Sequence, residues 1–390
     1  MLTRFIRFQG FNLKKKDLRV KKSCDELKNK FKHKSDHILL SLSKRYKYSF
    51  NKKKLENYKK FKNFRVIGIG GSVLGAEAIY SFLKKKINKN FFFVNNLDQK
   101  NNLIKNKNFF NIIISKSGNT LETISNINLN RIKKDCIFIT ENKNNYLRNY
   151  AFKLKSEIIN HNNFIGGRYS VLSETGMLPA LLMGLKPHKF KRLDNLINNK
   201  NFWNTLILNV STILSFYNSN KTNSVILNYD ESSKELFQWY QQLVAESLGK
   251  KSRGILPIIS SMPKDNHSVM QLYLDGVKNN FFTFFFTKED KSTKIFNSEI
   301  LQNFAFLKNK NLNDIVHSQF IATQNVFRKK NIPFRSFIIE KKNEETLGEL
   351  FTFFILETIL IGKALKINPF NQPAVELIKK ETNKILKKKC

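Results

Sequence analysis

The chain is short of cysteine, of acidic residues and of long apolar runs. Its three cysteines, Cys24, Cys136 and Cys390, are far apart in 390 residues, with no C-x-x-C pair and no even-numbered set of the kind that staples small secreted domains. That excludes a disulfide scaffold, points to a reducing cytoplasm, and leaves Cys24 and Cys136 as small buried hydrophobes rather than nucleophiles. No apolar stretch reaches the roughly 18 residues of a membrane span. The run around Phe284 is short, and the one around Phe354 is broken by Glu357. There is no H-x-x-H, no H-E-x-x-H and no clustered Cys/His set, so nothing in the sequence calls for a metal or other cofactor. Acidic residues number 30 against 69 lysines and arginines, a net charge of +39. Such a charge attracts polyanions, anionic membranes and phosphorylated substrates alike. The excess is spread along the whole chain and no basic face interleaved with aromatics emerges, so no specific nucleic-acid or membrane partner is expected.

What is present is enough apolar material, 41% of residues, for more than one core, and two domains suit this length. Residues 1–60 are lysine-rich with helix-like apolar spacing at Leu27, Phe31 and Leu39, and read as a helical N-terminal extension. From Phe64 the pattern becomes strand, glycine loop, helix, and it repeats through "FFFVN", "NIIISKSGNTLET" and "DCIFIT". Strands alternating with helices imply a mainly parallel, doubly wound α/β sheet of flavodoxin-like type over residues 61–190. A second strand-led series, "SVILNY", "RGILPII", "NNFFTFFF" and "IPFRSFIIE", predicts a second such domain over 191–365. Residues 366–390 read as a C-terminal helix after the break at Pro369 and Pro373.

Two strand-to-helix loops carry the chemistry. In "GIGGSVLG", Gly68 to Gly75, glycines let the backbone approach a ligand and helix amides face an anion, with Ser72 adding a hydroxyl. The spacing is not G-x-G-x-x-G, since Val73 stands sixth from Gly68, so a dinucleotide is disfavoured. In "SKSGNTLET", Ser115, Ser117, Asn119 and Thr120 crowd the entry to a helix. That exceeds one helix cap and suits a phosphate monoester, which needs many donors.

Together with "NFIGGRYSVLSETG" and "FQWYQQLVAESLGKKSRGILP", these strings resemble the phosphoglucose isomerase family, whose members have two domains of the sugar isomerase fold. "GGRYS" is the most specific match, and "ES-x-GK" resembles the shorter bacterial forms. The resemblance runs from about Val66 to Lys379. It implies an aldose–ketose isomerase of glucose 6-phosphate and fructose 6-phosphate, a glycolytic and gluconeogenic step that needs no cofactor. Ser72, Ser115, Lys116, Ser117 and Thr120 match the sugar-phosphate loop, with Gly71, Gly167 and Asn119 in the substrate loops. Arg168 matches the arginine beside the reacting carbons, and Glu246 the base that moves a proton between carbons 2 and 1. His267 matches a ring-opening histidine that, in the family, comes from the neighbouring subunit of a dimer. Lys379 matches the lysine near the ring oxygen, framed by Gln372 and Glu376. This last motif departs from the family at Asn371, Pro373, Ala374 and Ile378, and leaves Lys380 as an alternative.

The residue types fit that chemistry. Aldose–ketose conversion needs a carboxylate to shuttle one proton, a fixed cation to meet the enediolate, and an acid–base group for ring opening. Two other readings stay open: a catalytically silent sugar-phosphate sensor, and an isomerase that also takes mannose or amino-sugar phosphates.

Overall fold

The computed structural model describes residues 1–11, 16–98, 108–289 and 292–388. Ten strands are seen among them: β1 (Ile6–Gln9), β2 (Asn63–Ile67), β3 (Asn90–Val94), β4 (Phe109–Ile114), β5 (Cys136–Glu141), β6 (Glu157–His161), β7 (Asn223–Asn228), β8 (Leu256–Ser261), β9 (Asn280–Thr287) and β10 (Phe334–Ile339). One sheet has the order β3-β2-β4-β5-β6, the other β1-β10-β9-β7-β8. All pairs are parallel except β1 with β10. The central strands β4 and β9 are buried at every position, as expected where helices cover both faces of a parallel sheet.

The two sheets enclose one large core whose axis is the helix Glu344–Ala364. Every residue of this helix except Glu345 and Lys363 is buried. Glu357, which breaks the apolar run in the sequence, is accommodated there by Arg335 of β10, an ion pair in which both side chains are shielded from solvent. Arg335 also donates to Thr283 Oγ1 and Asn209 Oδ1, both at 2.9 Å. A buried charge is tolerated only when paired and hydrogen-bonded in this way. Smaller cores lie on the outer faces, around Ile113 and Phe138 on the first sheet and around Phe284 and Phe320 on the second. Cys24 and Cys136 are both buried, and burial pushes the Cys24 thiol up to about 11.

The N-terminal segment corrects the purely helical expectation. Helices do form at Leu18–Lys32, His37–Ser41 and Lys52–Glu56, but Ile6–Gln9 is a strand that adds to β10 as an antiparallel edge. Four residues are too few for a period-two pattern to stand out in a basic, aromatic stretch. Residues 12–15 of that extension, and 389–390 of the expected C-terminal helix, lie outside the described residues. No described helix is long and apolar enough to cross a membrane.

Candidate active site

In the first sheet the chain leaves β2 toward β3 on one side and β4 toward β5 on the other. The carboxyl ends of β2 and β4 therefore flank the switch point where open α/β sheets bind ligands. Both chemistry-bearing loops leave from there. The loop after β2 turns through Gly70–Ser72 into the helix Leu74–Phe82, with Ser72 half-buried. Gly71 is pressed against the turn containing Gly167 and Arg168: a Cβ on Gly71 would lie 2.3 Å from the Gly167 carbonyl carbon and 2.4 Å from the Arg168 nitrogen. Only glycine permits that approach.

The loop after β4 enters the helix Leu121–Leu129 with Thr120 as its N-cap residue. Ser115 is buried, and its Oγ lies 2.8 Å from Thr120 Oγ1. Ser117 is exposed, 3.5 Å from the same hydroxyl. Ser115 Oγ also accepts from Gly118 N at 3.2 Å and Ser117 Oγ from Asn119 N at 3.3 Å, while Thr120 caps no helix amide, so the hydroxyl protons are exchanged only among these three groups and can turn to an anion. Gly118 supplies the turn with φ +67°. Asn119 is spent on structure, its Oδ1 accepting from Tyr146 N at 2.9 Å. Lys116 is turned away from the hydroxyls, toward Glu141 at 3.4 Å and the Asn163 carbonyl at 2.8 Å.

Arg168, 2% exposed, is the hub of the cleft. Its Nε donates to Ser247 Oγ at 2.8 Å, one Nη1 proton to Gln372 Oε1 at 2.9 Å, and Nη2 to the carbonyls of Pro369 and Asn371 at 2.7 and 3.1 Å. Four of its five N–H groups are thus held, and Nη1 also lies 3.3 Å from Glu246 Oε2. Its carbonyl accepts from Trp239 Nε1 at 3.1 Å, and Tyr169 OH meets Ser247 Oγ at 2.9 Å, which fixes the turn from behind.

Glu246 sits in the last turns of the helix Lys234–Leu248 and lines an open cavity of about 920 Å³ together with Gln242, Lys250 and Gln372. Oε2 faces Arg168 and accepts from Gln242 Nε2 at 3.2 Å, while Oε1 carries no hydrogen bond among the described residues. Gln242 also reaches the first loop, since a Cβ on Gly70 would stand 3.0 Å from its Nε2. The sequence reading passes over Gln242, although its place four residues before Glu246 puts both on one helix face. It passes over Lys250 as well. Lys250 Nζ donates to the Ser247 and Asn368 carbonyls at 2.7 and 2.8 Å, and burial, then the nearby Arg168, push its pKa down to about 8 against the pull of Glu246.

Two expected residues are not brought to this cluster. Lys379 lies on the exposed helix Pro373–Lys388 and pairs with Glu376 at 2.7 Å. Its neighbour Lys380 is exposed too. His267 is exposed on the turn Lys264–His267 after β8 and does not line the cavity.

A family model described as phosphoglucose isomerase matches residues 44–389. The chain is 33% identical over 358 residues to the glucose-6-phosphate isomerase of Methanocaldococcus jannaschii, covering 87% of this chain and 88% of that one. It is 31% identical over 353 residues to the enzyme of the same name from Mycoplasmopsis pulmonis, covering 83% and 82%. Among solved structures, a hypothetical protein from Thermus thermophilus superposes with a TM-score of 0.81 at 21% identity, over 95% of this chain and 96% of that one. A glucose-6-phosphate isomerase from Chlamydia trachomatis does so at 0.69 and 20%, over 86% and 72%. At those identities the structures bear on the fold alone.

Proposed function

The chain belongs to the phosphoglucose isomerase family, and from that premise we propose that the cleft around Arg168 is where it interconverts glucose 6-phosphate and fructose 6-phosphate, with Glu246 as the base. The observation that carries this is the Glu246 carboxylate, one oxygen held by Gln242 and faced by Arg168, the other on the cavity wall with no hydrogen bond among the described residues. The phosphate is received by the loops after β2 and β4, through Ser115, Ser117 and Thr120 and the amides around them. That anchors one end of the open-chain sugar, so the reacting carbons need only swing to Glu246.

Glu246 takes the proton from carbon 2 of the aldose and the electron pair forms the double bond between carbons 1 and 2. The negative charge that gathers on the enediolate oxygens meets Arg168, a cation that cannot lose its proton. Nor can it move, because its other donors are locked to Ser247, Gln372 and two carbonyls. Returning the proton from Glu246 to carbon 1, with a proton passing from one sugar oxygen to the other, yields the ketose. Nothing is oxidised or reduced overall.

Ring opening needs an acid–base group. His267 takes that role from the neighbouring subunit of a homodimer, a reading supported by its exposure and by the exposed Phe296, Leu301, Phe304 and Phe306 on the segment that follows β9. Lys379 reaches the sugar only if the exposed helix that bears it is drawn in by the same association. Sedimentation of the active enzyme as a monomer overturns the dimer reading. The isomerase is tested by supplying fructose 6-phosphate to purified protein and following glucose 6-phosphate, with mannose 6-phosphate and glucosamine 6-phosphate run in parallel. Turnover of fructose 6-phosphate alone supports the assignment and its specificity. Saturable binding without turnover supports the sensor instead.

A further inference from the structure

The second sheet repeats the wiring of the first. There β7 lies between β8 and β9, all parallel, so the carboxyl ends of β7 and β9 form a switch point that matches the one between β2 and β4. The loop after β7 enters the helix Lys234–Leu248 with Ser233 as its N-cap residue, and Thr287 ends β9. Hydroxyls gather there as they do in the first half, but a carboxylate stands among them. Asp230, 8% exposed, accepts from Ser232 Oγ at 2.9 and 3.1 Å, from Ser233 Oγ at 2.5 Å and from Thr287 Oγ1 at 3.1 Å. Lys342 Nζ, reaching from just beyond β10, donates to Asp230 Oδ1 at 2.7 Å and to Ser232 Oγ at 2.5 Å, with Glu289 at 3.5 Å on its far side.

Three hydroxyls and an ammonium converging on one anion at a helix entry are the donor set that recognises a phosphate. We propose that Asp230 is a tethered anion filling the second half's counterpart of the phosphate loop, and that removing its carboxylate turns this switch point into a binding site for inorganic phosphate or a phosphate monoester. In the native chain the plug leaves a single phosphate cradle, so a sugar phosphate has one way to bind. The inference is independent of which sugar is turned over at Glu246.

The test compares the full-length wild type with Asp230→Gly, in chloride and in inorganic phosphate at matched ionic strength. Residue 230 has φ −131° and ψ 101°, which glycine adopts freely. Asp230→Gly melts several degrees lower in chloride, and phosphate restores at least half of that loss in a saturable way. Wild type shows only the smaller shift of its one open cradle, and phosphate binding to Asp230→Gly gains one site per chain. Adding Lys342→Met to the glycine variant removes the gain, and Asp230→Asn, whose amide still fills the space, is not rescued. Equal phosphate shifts and equal stoichiometry in wild type and Asp230→Gly overturn the proposal. If Asp230→Gly does not fold in chloride, refolding from denaturant in phosphate decides: recovery supports the tethered anion, and none in either salt overturns it.

Discussion

The two switch points share a topology and differ in what fills them. At the first, Ser115, Ser117 and Thr120 bond to one another, Lys116 is diverted to Glu141, and no carboxylate of the described residues accepts from the three hydroxyls. At the second, Ser232, Ser233 and Thr287 are closed over Asp230. The lesson is that hydroxyls at a strand-to-helix loop do not define a site by themselves; the internal counter-charge decides whether they are available. The proposed site then divides the labour: the first half would bind the phosphate end of the substrate, while the helix leading out of the second switch point carries Glu246 to the cleft.

Substitutions on the two sides should then separate kcat from KM. Glu246→Gln keeps the contact with Gln242 but removes the base, and kcat is expected to fall by roughly 10²- to 10⁴-fold with KM nearly unchanged. A rise in KM with kcat unchanged breaks the division. Arg168→Lys offers three donors where the pocket engages four, leaves buried acceptors unpaired, and should lower kcat by about 10²-fold, which steady-state kinetics at saturating substrate reads directly. On the binding side, Ser115→Ala or Thr120→Ala removes one hydrogen bond to a charged phosphate, and KM should rise by roughly 10-fold at constant kcat.

The smallest effect is in the pH profile. Lys250 has its pKa pushed down to about 8, so its ammonium is lost as pH rises through that value, and with it the tie between the Ser247 and Asn368 carbonyls. A shallow alkaline limb near pH 8 is expected, present in wild type and missing in Lys250→Met. Stability moves the other way. The unfolded chain keeps this lysine protonated up to about its ordinary 10.5, so between these two values it holds more protons than the folded one, and the contribution of Lys250 to stability rises with pH. Thermal melts of wild type and variant across that window show whether the sign is right.

Much of this was legible in the sequence, for definite reasons. β-branched runs followed by glycine or serine loops mark parallel strands, and the strings around Ser115, Arg168 and Glu246 are local, so the candidate residues can be picked out in one dimension; the structure sets Arg168 beside Glu246. What escaped depends on partners far along the chain. Glu357 reads as a flaw in an apolar run, because its neutralising Arg335 lies on a separate element. Asp230 draws no notice, because nothing in "NYDESS" shows a carboxylate turned inward onto Thr287 and Lys342. Lys379 is carried by its motif frame, whereas its helix stands exposed. β1 is too short for its alternation to register.

The account stands most directly on proton transfer by Glu246, and hydrogen exchange with solvent measures that step alone. Fructose 6-phosphate incubated with enzyme in deuterium oxide should gain deuterium at carbon 1 with wild type and none above background with Glu246→Gln, while both proteins bind the sugar phosphate with similar affinity. Exchange at the wild-type rate in Glu246→Gln would contradict the account and place the base elsewhere in the cleft.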